Sequence, residues 1–257
     1  MSHRSLTRLR VSLALSFAVL AIPSVAGALI APPPSTHRWT FDEEDGIIAY
    51  DDAGLFDGTL GSSTTRTPGP FGTNVISIVP TDIYDTNGYV DLGDVGAFGV
   101  ADFSITHWYK TSFSGPGKHG DILGNRVDGS LGNFISVRLV GSGTVSVEFA
   151  EDEEGTNSVA LVGDPAFGVN DGQWHHLAYT RSGATVSLYI DGILADTRDT
   201  GSGNPTYIAG THSFRIGRRL PTEYDDFHTI PASYEDVRIF DHALDEGEVL
   251  DILAGTL

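Results

Sequence analysis

Along most of the chain, apolar and polar residues alternate with the two-residue period of half-buried β-strands. The clearest example lies within residues 170–197, where apolar side chains occupy every second position from Val186 to Ile190. Asp191-Gly192 follows directly, and this pair favours a type I′ turn because such a turn needs positive φ at both central residues. The pattern predicts an antiparallel three-stranded meander with strands over 174–181, 186–190 and 193–197.

Short segments with similar patterning continue in both directions from this meander. Further strands are predicted over 37–41, 75–79, 88–93, 102–110, 122–124, 134–139, 144–149, 212–217 and 234–240. Residues 61–72 are rich in Ser, Thr, Gly and Pro and are predicted to form a solvated loop. Val249, Leu250 and Leu253 have helical spacing, so one short helix is predicted near the C-terminus. The fold class is therefore all-β.

Several of these segments resemble a known family. Gly-Gln-Trp-His-His-Leu-Ala at 172–178, followed by Leu-Tyr-Ile-Asp-Gly at 188–192, is similar to the central signature of LamG-like, concanavalin A-like jelly rolls. Phe-Ser-Ile-Thr-His-Trp at 103–108 resembles another strand of that family. The resemblance implies a concanavalin A-like jelly-roll β-sandwich of two antiparallel sheets with a short C-terminal helix. It identifies no function by itself, because one fold hosts many unrelated sites.

The first 28 residues have the composition of an export signal. Three arginines precede a mostly apolar run over 11–22, and small residues at 24–28 offer cleavage sites. Because the run is shorter than the roughly 20 residues that span a bilayer, a cleaved signal peptide is predicted, with an uncleaved anchor as the alternative. Residues 29–36 are predicted to be a Pro-rich spacer and residues 37–257 one LamG-like domain. We expect a secreted or cell-surface protein, exported as in bacteria, without membrane insertion after signal cleavage.

The charge balance limits the possible partners. The chain carries 34 acidic and 15 basic residues, a formal net charge of −19, which becomes −22 when the signal and its three arginines are removed. Nucleic acid is disfavoured as a partner, because phosphate binding requires clustered Lys and Arg. The chain has no cysteine, which excludes disulfides, thiol chemistry and Cys-based zinc sites.

Four aspartates are predicted to hold a structural calcium ion. Asp42, Asp51 and Asp52 lie near the start of the predicted domain and Asp236 near its end. The resemblance implies that the first and last strands are close together and that calcium binds at this edge. Calcium takes about 6–8 oxygen ligands, which Asp carboxylates and backbone carbonyls supply. The alternative is that these acids only solvate the surface, with Asp51 capping a turn.

Residues of two predicted loops are expected to form a ligand-binding rim. Arg126 and Asp128 lie on one loop, and Tyr224, Asp226 and His228 lie on the other. Loops positioned by a rigid scaffold often carry binding residues. We expect this rim to recognise an extracellular carbohydrate or glycoprotein, with charged side chains meeting hydroxyls and an aromatic ring meeting a sugar face.

Two other function classes stay open. The first is a polysaccharide-active enzyme on the same fold, either a glycoside hydrolase or a lyase. Catalysis is disfavoured, because the chain lacks the compact Glu-x-Asp-x-x-Glu strand motif of related jelly-roll glucanases, a Gly-x-Ser-x-Gly elbow and a His-Glu-x-x-His helix. No catalytic residue is predicted. The second class is an adhesion or surface protein that binds another protein.

The tryptophans and the adjacent histidines are assigned structural roles. Trp39, Trp108 and Trp174 occur in apolar strand patterns, which favours packing in the core. His175 and His176 are neighbours in one strand, so their side chains point to opposite faces and cannot chelate one ion together.

Overall fold

A computed structural model describes residues 36–70, 74–114, 119–127, 133–141, 143–151, 157–210, 212–220 and 229–255. The predicted signal peptide and residues 29–35 of the predicted spacer lie outside these ranges. In chain order the strands are β1 (His37–Trp39), β2 (Ile48–Ala49), β3 (Gly58–Leu60), β4 (Thr64–Pro68), β5 (Asn74–Ile78), β6 (Tyr89–Asp91), β7 (Phe103–Lys110), β8 (Gly120–Gly124), β9 (Phe134–Val140), β10 (Thr144–Ala150), β11 (Ser158–Val162), β12 (Trp174–Ser182), β13 (Thr185–Ile190), β14 (Ile193–Asp199), β15 (Arg215–Gly217) and β16 (Ala232–Phe240). A 3-10 turn spans Pro165–Phe167 and the helix α1 spans Glu246–Gly255.

The strands form two antiparallel sheets that pack against each other. The first sheet has the order β14-β13-β12-β7-β16-β5-β4, and β1 also pairs with β16. The second sheet has the order β11-β10-β9-β8-β15-β6-β3-β2. This arrangement, with α1 at the C-terminus, confirms the predicted jelly-roll sandwich. No helix in the described part of the chain is long and apolar enough to cross a membrane.

Strand alternation determines which side chains enter the core between the sheets. In β10, Val145, Val147 and Phe149 are fully buried there. Their neighbours Ser146 and Glu148 point away, because successive side chains of a strand lie on opposite faces. Each large apolar side chain buried in this way stabilises the fold by about 1.5–3 kcal/mol.

The central meander is confirmed. β12, β13 and β14 pair in sequence, and the turn between the last two places Asp191 at φ 53° and Gly192 at φ 78°. Both values are positive, as a type I′ turn requires. The prediction for residues 61–72 was wrong at its centre, where β4 pairs with β5 from Thr64↔Ile78 to Pro68↔Asn74. Its β-branched threonines favour a strand, and an edge position tolerates the terminal proline.

Helix α1 covers part of the outer face of the first sheet. Val249 and Ile252 are buried in a cluster that includes Tyr189 and Phe240. The helix begins at a capping box: Asp245 Oδ1 accepts from the Glu248 N–H at 2.9 Å, and Glu248 Oε2 accepts from the Asp245 N–H at 3.0 Å.

The three tryptophans occupy different environments. Trp39 is fully buried in the core, as predicted. Trp108 is also buried, but it pairs in register with His176 and contacts its ring, with centroids 5.4 Å apart. Trp174, at the start of β12, is half-buried. The core prediction therefore does not describe Trp174, because the first residue of a strand is less enclosed than its middle.

A histidine and three tyrosines form a polar aromatic cluster inside the sandwich. His107, Tyr109, Tyr179 and Tyr234 are almost completely buried, and His107 Nε2 lies 3.0 Å from the Tyr179 hydroxyl. Burial lowers the pKa of His107 to about 3, since a charged imidazole would lose its hydration there. Burial also lowers the pKa of His176 to about 4. Both imidazoles are therefore neutral in the folded protein at neutral pH.

We predict that acid weakens the fold through these histidines before carboxylates protonate. A folded-state pKa below the unfolded value of 6.5 gives stability that is complete above pH 6.5 and is lost as pH falls. Between pH 6.5 and 4.5 each histidine should cost about 2–3 kcal/mol of unfolding free energy. Urea unfolding at several pH values measures this loss. The slope should decrease in His107→Gln and persist in His242→Gln, a control at a partly exposed site; equal slopes in all three proteins would contradict the account.

Candidate functional site

The first and last strands meet at one edge, where Asp51 is buried. Its carboxylate lies 2.8 Å from His37 Nδ1 and accepts hydrogen bonds from the backbone N–H groups of Arg38, Ala53, Leu55 and Phe56. Burial alone would raise the pKa of Asp51, but the hydrogen bonds from His37 and the backbone lower it below its ordinary value. Asp51 therefore caps and closes the turn that follows β2.

Asp236 lies beside this turn, within a β-bulge of β16, with φ 50°. Arg38 Nε donates to its Oδ1 at 2.6 Å, and Arg238 donates to its two oxygens at 2.5–3.0 Å. Burial alone would raise the pKa of Asp236, but Arg238 and then Arg38 lower it below its ordinary value. Asp52 is exposed and stands 3.8 Å from the other end of the Arg38 guanidinium. Arg38 thus joins the turn to the last strand.

These residues do not fit the predicted calcium ion. Calcium binds oxygen atoms that are free to coordinate it, whereas the oxygens of Asp51 and Asp236 face N–H donors. A guanidinium supplies the positive charge between Asp52 and Asp236. Asp42 is exposed after β1 and no contact joins it to this cluster among the described residues. Within the same residues, no group of three or more acidic or histidine side chains could hold a metal ion.

A different charged surface lies on the outer face of the second sheet. Four arginines, Arg126, Arg138, Arg215 and Arg219, form what we call the arginine strip. Three carboxylates pair with them: Glu148, Asp121 and Asp91.

Strand register brings these residues onto one face. Arg138 opposes Asp121 across β9 and β8, and Arg215 opposes Asp91 across β15 and β6. Glu148 and Arg138 lie on neighbouring strands. Both side chains point to the outer face, opposite to the core-facing valines that adjoin them in each strand. Arg126 follows β8, where the side-chain oxygen of buried Asn125 accepts from the Ile135 N–H at 2.8 Å and fixes the segment against β9.

The ion pairs of the strip are close and partly shielded from water. Arg126 and Arg138 both donate to Glu148 Oε2, at 2.9 and 3.1 Å. Arg219 donates to both oxygens of Asp121, with a closest distance of 2.7 Å, and both side chains are almost fully buried. Arg215 lies 2.9 Å from Asp91. Such charge-assisted bonds fix planar guanidinium groups in defined orientations.

Two aromatic rings accompany the strip. The Arg126 guanidinium lies 4.3 Å from the centre of the Phe134 ring, and the Arg215 guanidinium lies 4.2 Å from that of Tyr89. Cation–π contacts of this kind hold the arginines flat against the sheet. Phe134 is buried whereas Tyr89 is half-buried, so Tyr89 presents an aromatic surface at one end of the strip.

Burial and neighbouring charges together shift the pKa values of two basic groups at this face. Burial lowers the pKa of Arg138 and the charge of Arg219 lowers it further, while Glu148 opposes both effects. Burial also lowers the pKa of His119, as do Arg138 and Arg219. His119 precedes β8 and is exposed, so it stands at the border of the strip.

The structure places one of the predicted ligand-binding residues in this surface. Arg126 belongs to the arginine strip. Asp128, Tyr224, Asp226 and His228 lie outside the described residues, and their role stays a prediction.

Sequence reasoning missed the other members: Arg138, Arg215, Arg219, Glu148, Asp121, Asp91 and Tyr89. The sequence did indicate that Arg138 faces outward, since it alternates with the apolar residues of β9. The order of strands in the sheet was not predicted from the sequence.

Comparisons with known proteins agree with the fold. Residues 84–250 match a family model described as the concanavalin A-like lectin/glucanases superfamily. The binding domain of Paraclostridial mosquitocidal protein 1 is similar with a TM-score of 0.64 and 15% identity, over 84% of this chain and 51% of that chain. The ligand-binding domain of botulinum neurotoxin serotype D, solved with N-acetylneuraminic acid, has a TM-score of 0.62 and 14% identity, over 86% and 50%. The binding domain of botulinum neurotoxin DC, solved with SialylT, has a TM-score of 0.63 and 12% identity, over 87% and 52%.

This chain therefore spans about half the length of these similar structures. At such low identity, the likeness shows a shared fold. A search of curated protein sequences finds no match.

We predict that Asp236→Ala destabilises the protein by about 3–5 kcal/mol, because it removes the buried carboxylate that pairs with both Arg38 and Arg238. The matched control Asp52→Ala removes an exposed partner of Arg38 and should cost less than about 1 kcal/mol. Thermal melting with chelator and with millimolar calcium completes the experiment. The melting temperature should not respond to calcium; a calcium-dependent rise that Asp236→Ala abolishes would contradict this account of the edge.

Proposed function

The chain belongs to the concanavalin A-like lectin/glucanases superfamily, and we propose that it binds an extracellular carbohydrate through the outer face of its second sheet. The ligand is either a free polysaccharide or the glycan of a glycoprotein. The single observation that carries this proposal is the arginine strip, where planar hydrogen-bonding groups and an aromatic surface share one face.

The chemistry of the strip suits sugar hydroxyls. Guanidinium groups donate in fixed directions, and their carboxylate partners accept, so donors and acceptors alternate across the face. The paired partners hold each group in place before a ligand arrives, which reduces the entropy cost of binding. Tyr89 can contact the apolar face of a sugar ring at one end.

Binding without catalysis agrees best with the carboxylates of this face. Glycoside hydrolysis uses two carboxyl groups that flank one bond, and one of them must carry a proton. Here Glu148, Asp121 and Asp91 each accept hydrogen bonds from an arginine. That arrangement favours carboxylates that stay negatively charged and orient the arginines. It does not favour carboxyl groups that transfer protons.

Two further features support the proposal. Similar structures include neurotoxin binding domains solved with N-acetylneuraminic acid and SialylT, which are carbohydrate ligands of those proteins. The predicted signal peptide over 1–28 would export the protein to where such glycans occur. We therefore propose a secreted or surface-attached location.

We predict that the protein binds members of a polysaccharide and glycan panel without producing new reducing ends or unsaturated products. Arg215→Gln should weaken binding by at least about tenfold, equivalent to about 1.4 kcal/mol, because it removes the donor that packs on Tyr89. The control Arg198→Gln changes an exposed ion-paired arginine on β14 of the other sheet and should bind normally.

Affinity electrophoresis and a product assay on the same panel provide the measurements. Normal binding by folded Arg215→Gln would show that carbohydrate binds elsewhere. New chain ends in the product assay would favour the enzyme alternative.

A further inference from the structure

A cavity of about 230 Å³ lies at one end of the sandwich, where β1 and β7 begin and β16 ends. Phe103 of β7 and Ile239 of β16, both buried core residues, line it. Buried Val95 and half-buried Phe98 form an apolar wall beside them. Since a cavity of about 150 Å³ holds benzene, this one has room for an aromatic ring with a short side chain.

Contacts with neighbouring segments hold the apolar wall in place. Phe98 stacks on Phe103 with ring centres 4.0 Å apart. The next residue, Gly99, exchanges two backbone hydrogen bonds with Ile208, at 2.7 and 3.0 Å. The buried Arg181 guanidinium also donates to the Gly99 carbonyl. The cavity is therefore already ordered, which lowers the entropy cost of binding a ligand.

Two exposed carboxylates line the same cavity, those of Asp102 and Asp241. One oxygen of Asp102 accepts from the Gly183 N–H at 2.7 Å, and one oxygen of Asp241 lies 3.3 Å from His242 Nδ1. Within the described part of the chain, the second oxygen of each carboxylate has no hydrogen-bond partner. These oxygens are available to a ligand that donates hydrogen bonds.

His37 supplies a third acceptor. Its side chain is nine-tenths buried and lines the cavity. The Asp51 carboxylate, 2.8 Å from Nδ1, favours the tautomer with the proton on that nitrogen and leaves a lone pair on Nε2. Nε2 has no hydrogen-bond partner among the residues that the structure describes. Because buried polar atoms are normally hydrogen-bonded, this nitrogen also points to a donating ligand.

The charge of the lining is negative. The described lining residues include two carboxylates and neither lysine nor arginine. Arg181 lies 4.6 Å from the centre of the Phe103 ring, but it is not a lining residue and backbone carbonyls accept its hydrogen bonds. The formal net charge of −19 on the whole chain also attracts cations.

We infer that this cavity binds a small organic cation, namely a primary amine with an aromatic body. The ring packs beside Phe103 and Ile239, and the ammonium group donates to the carboxylates of Asp102 and Asp241 and to His37 Nε2. A primary ammonium has three donors and no acceptor, which matches these three acceptors. The site is separate from the arginine strip and does not depend on the proposed function.

Chemical-shift titrations of the Val95 and Ile239 methyl groups can measure binding of 2-phenylethylamine, of the neutral 2-phenylethanol and of methylammonium. At low salt, phenylethylamine should bind at least about fivefold more tightly than phenylethanol, because exposed ion pairs contribute modestly in water. The preference should decrease at 1 M salt, which screens charges beyond about 3 Å. Methylammonium should bind more weakly than phenylethylamine, since it has no apolar body to bury.

Three variants test the position of the site. Asp241→Asn should lower the preference for the amine and keep the affinity for the alcohol, because it removes an exposed charge and no apolar contact. Asp45→Asn, at an exposed position outside the cavity, is the matched control and should keep the wild-type preference. Ala101→Phe adds a ring at an exposed position of the lining and should weaken binding of both compounds at least about tenfold. An unchanged melting temperature shows that this variant is folded.

Other outcomes would overturn the inference. Equal affinities for the amine and the alcohol would remove the cation selectivity. Unchanged binding by folded Ala101→Phe, or methylammonium binding as tight as that of phenylethylamine, would show that the cation binds elsewhere. Failure of all three compounds to bind at millimolar concentration would show that the cavity is not a binding site. The glycan panel tests carbohydrate binding at the arginine strip separately, so none of these results decides it.

Discussion

Each sheet must bury one face against the other, and this constraint decides where the protein can place charged side chains. In β9 and β10 the core-facing positions are fully buried valines such as Val137 and Val147. Arg138 and Glu148, one residue further along each strand, are therefore directed to the outer face. Because several strands follow this rule side by side, scattered charges become one surface with ion pairs between neighbouring strands.

Buried charges elsewhere in the protein have hydrogen-bond or ion-pair partners within the chain. Arg181 is fully buried at one end of the sandwich, where it donates to the carbonyls of Gly99, Ala101 and Thr206. Asp236 is held between Arg38 and Arg238 at the edge where the chain's first and last strands meet. A buried charge without a partner costs several kcal/mol, so these contacts are conditions for folding. They account for the acidic residues of that edge without a metal ion.

Local pattern made much of the fold predictable. Alternation and Asp191-Gly192 identified the meander, and helical spacing identified α1. Strand β4 was missed because threonine and proline near Gly and Ser are as typical of loops as of an edge strand. Its pairing with β5 depends on tertiary contacts that composition does not report.

The candidate site was harder to predict, since it depends on register over long sequence separations. Arg138 and Arg215 are both recognisable as outward-facing residues, yet β8 lies between their strands in the sheet. For the acids near the chain ends, the position was predictable but the interactions were not. The resemblance correctly brought Asp51 and Asp236 to one edge, but sequence patterns did not show that Arg38 would join them.

We propose that the outer face of the second sheet is the ligand-binding surface. Nuclear magnetic resonance of the arginine Nε–H groups, during titration with an oligosaccharide that the panel identifies as a ligand, tests this proposal most directly. The account predicts that the signals of Arg126, Arg138 and Arg215 shift together with saturation, while those of Arg198 on β14 and Arg38 at the chain-end edge stay unchanged. Shifts confined to Arg38 or Arg198, with the arginine strip unaffected, would contradict it.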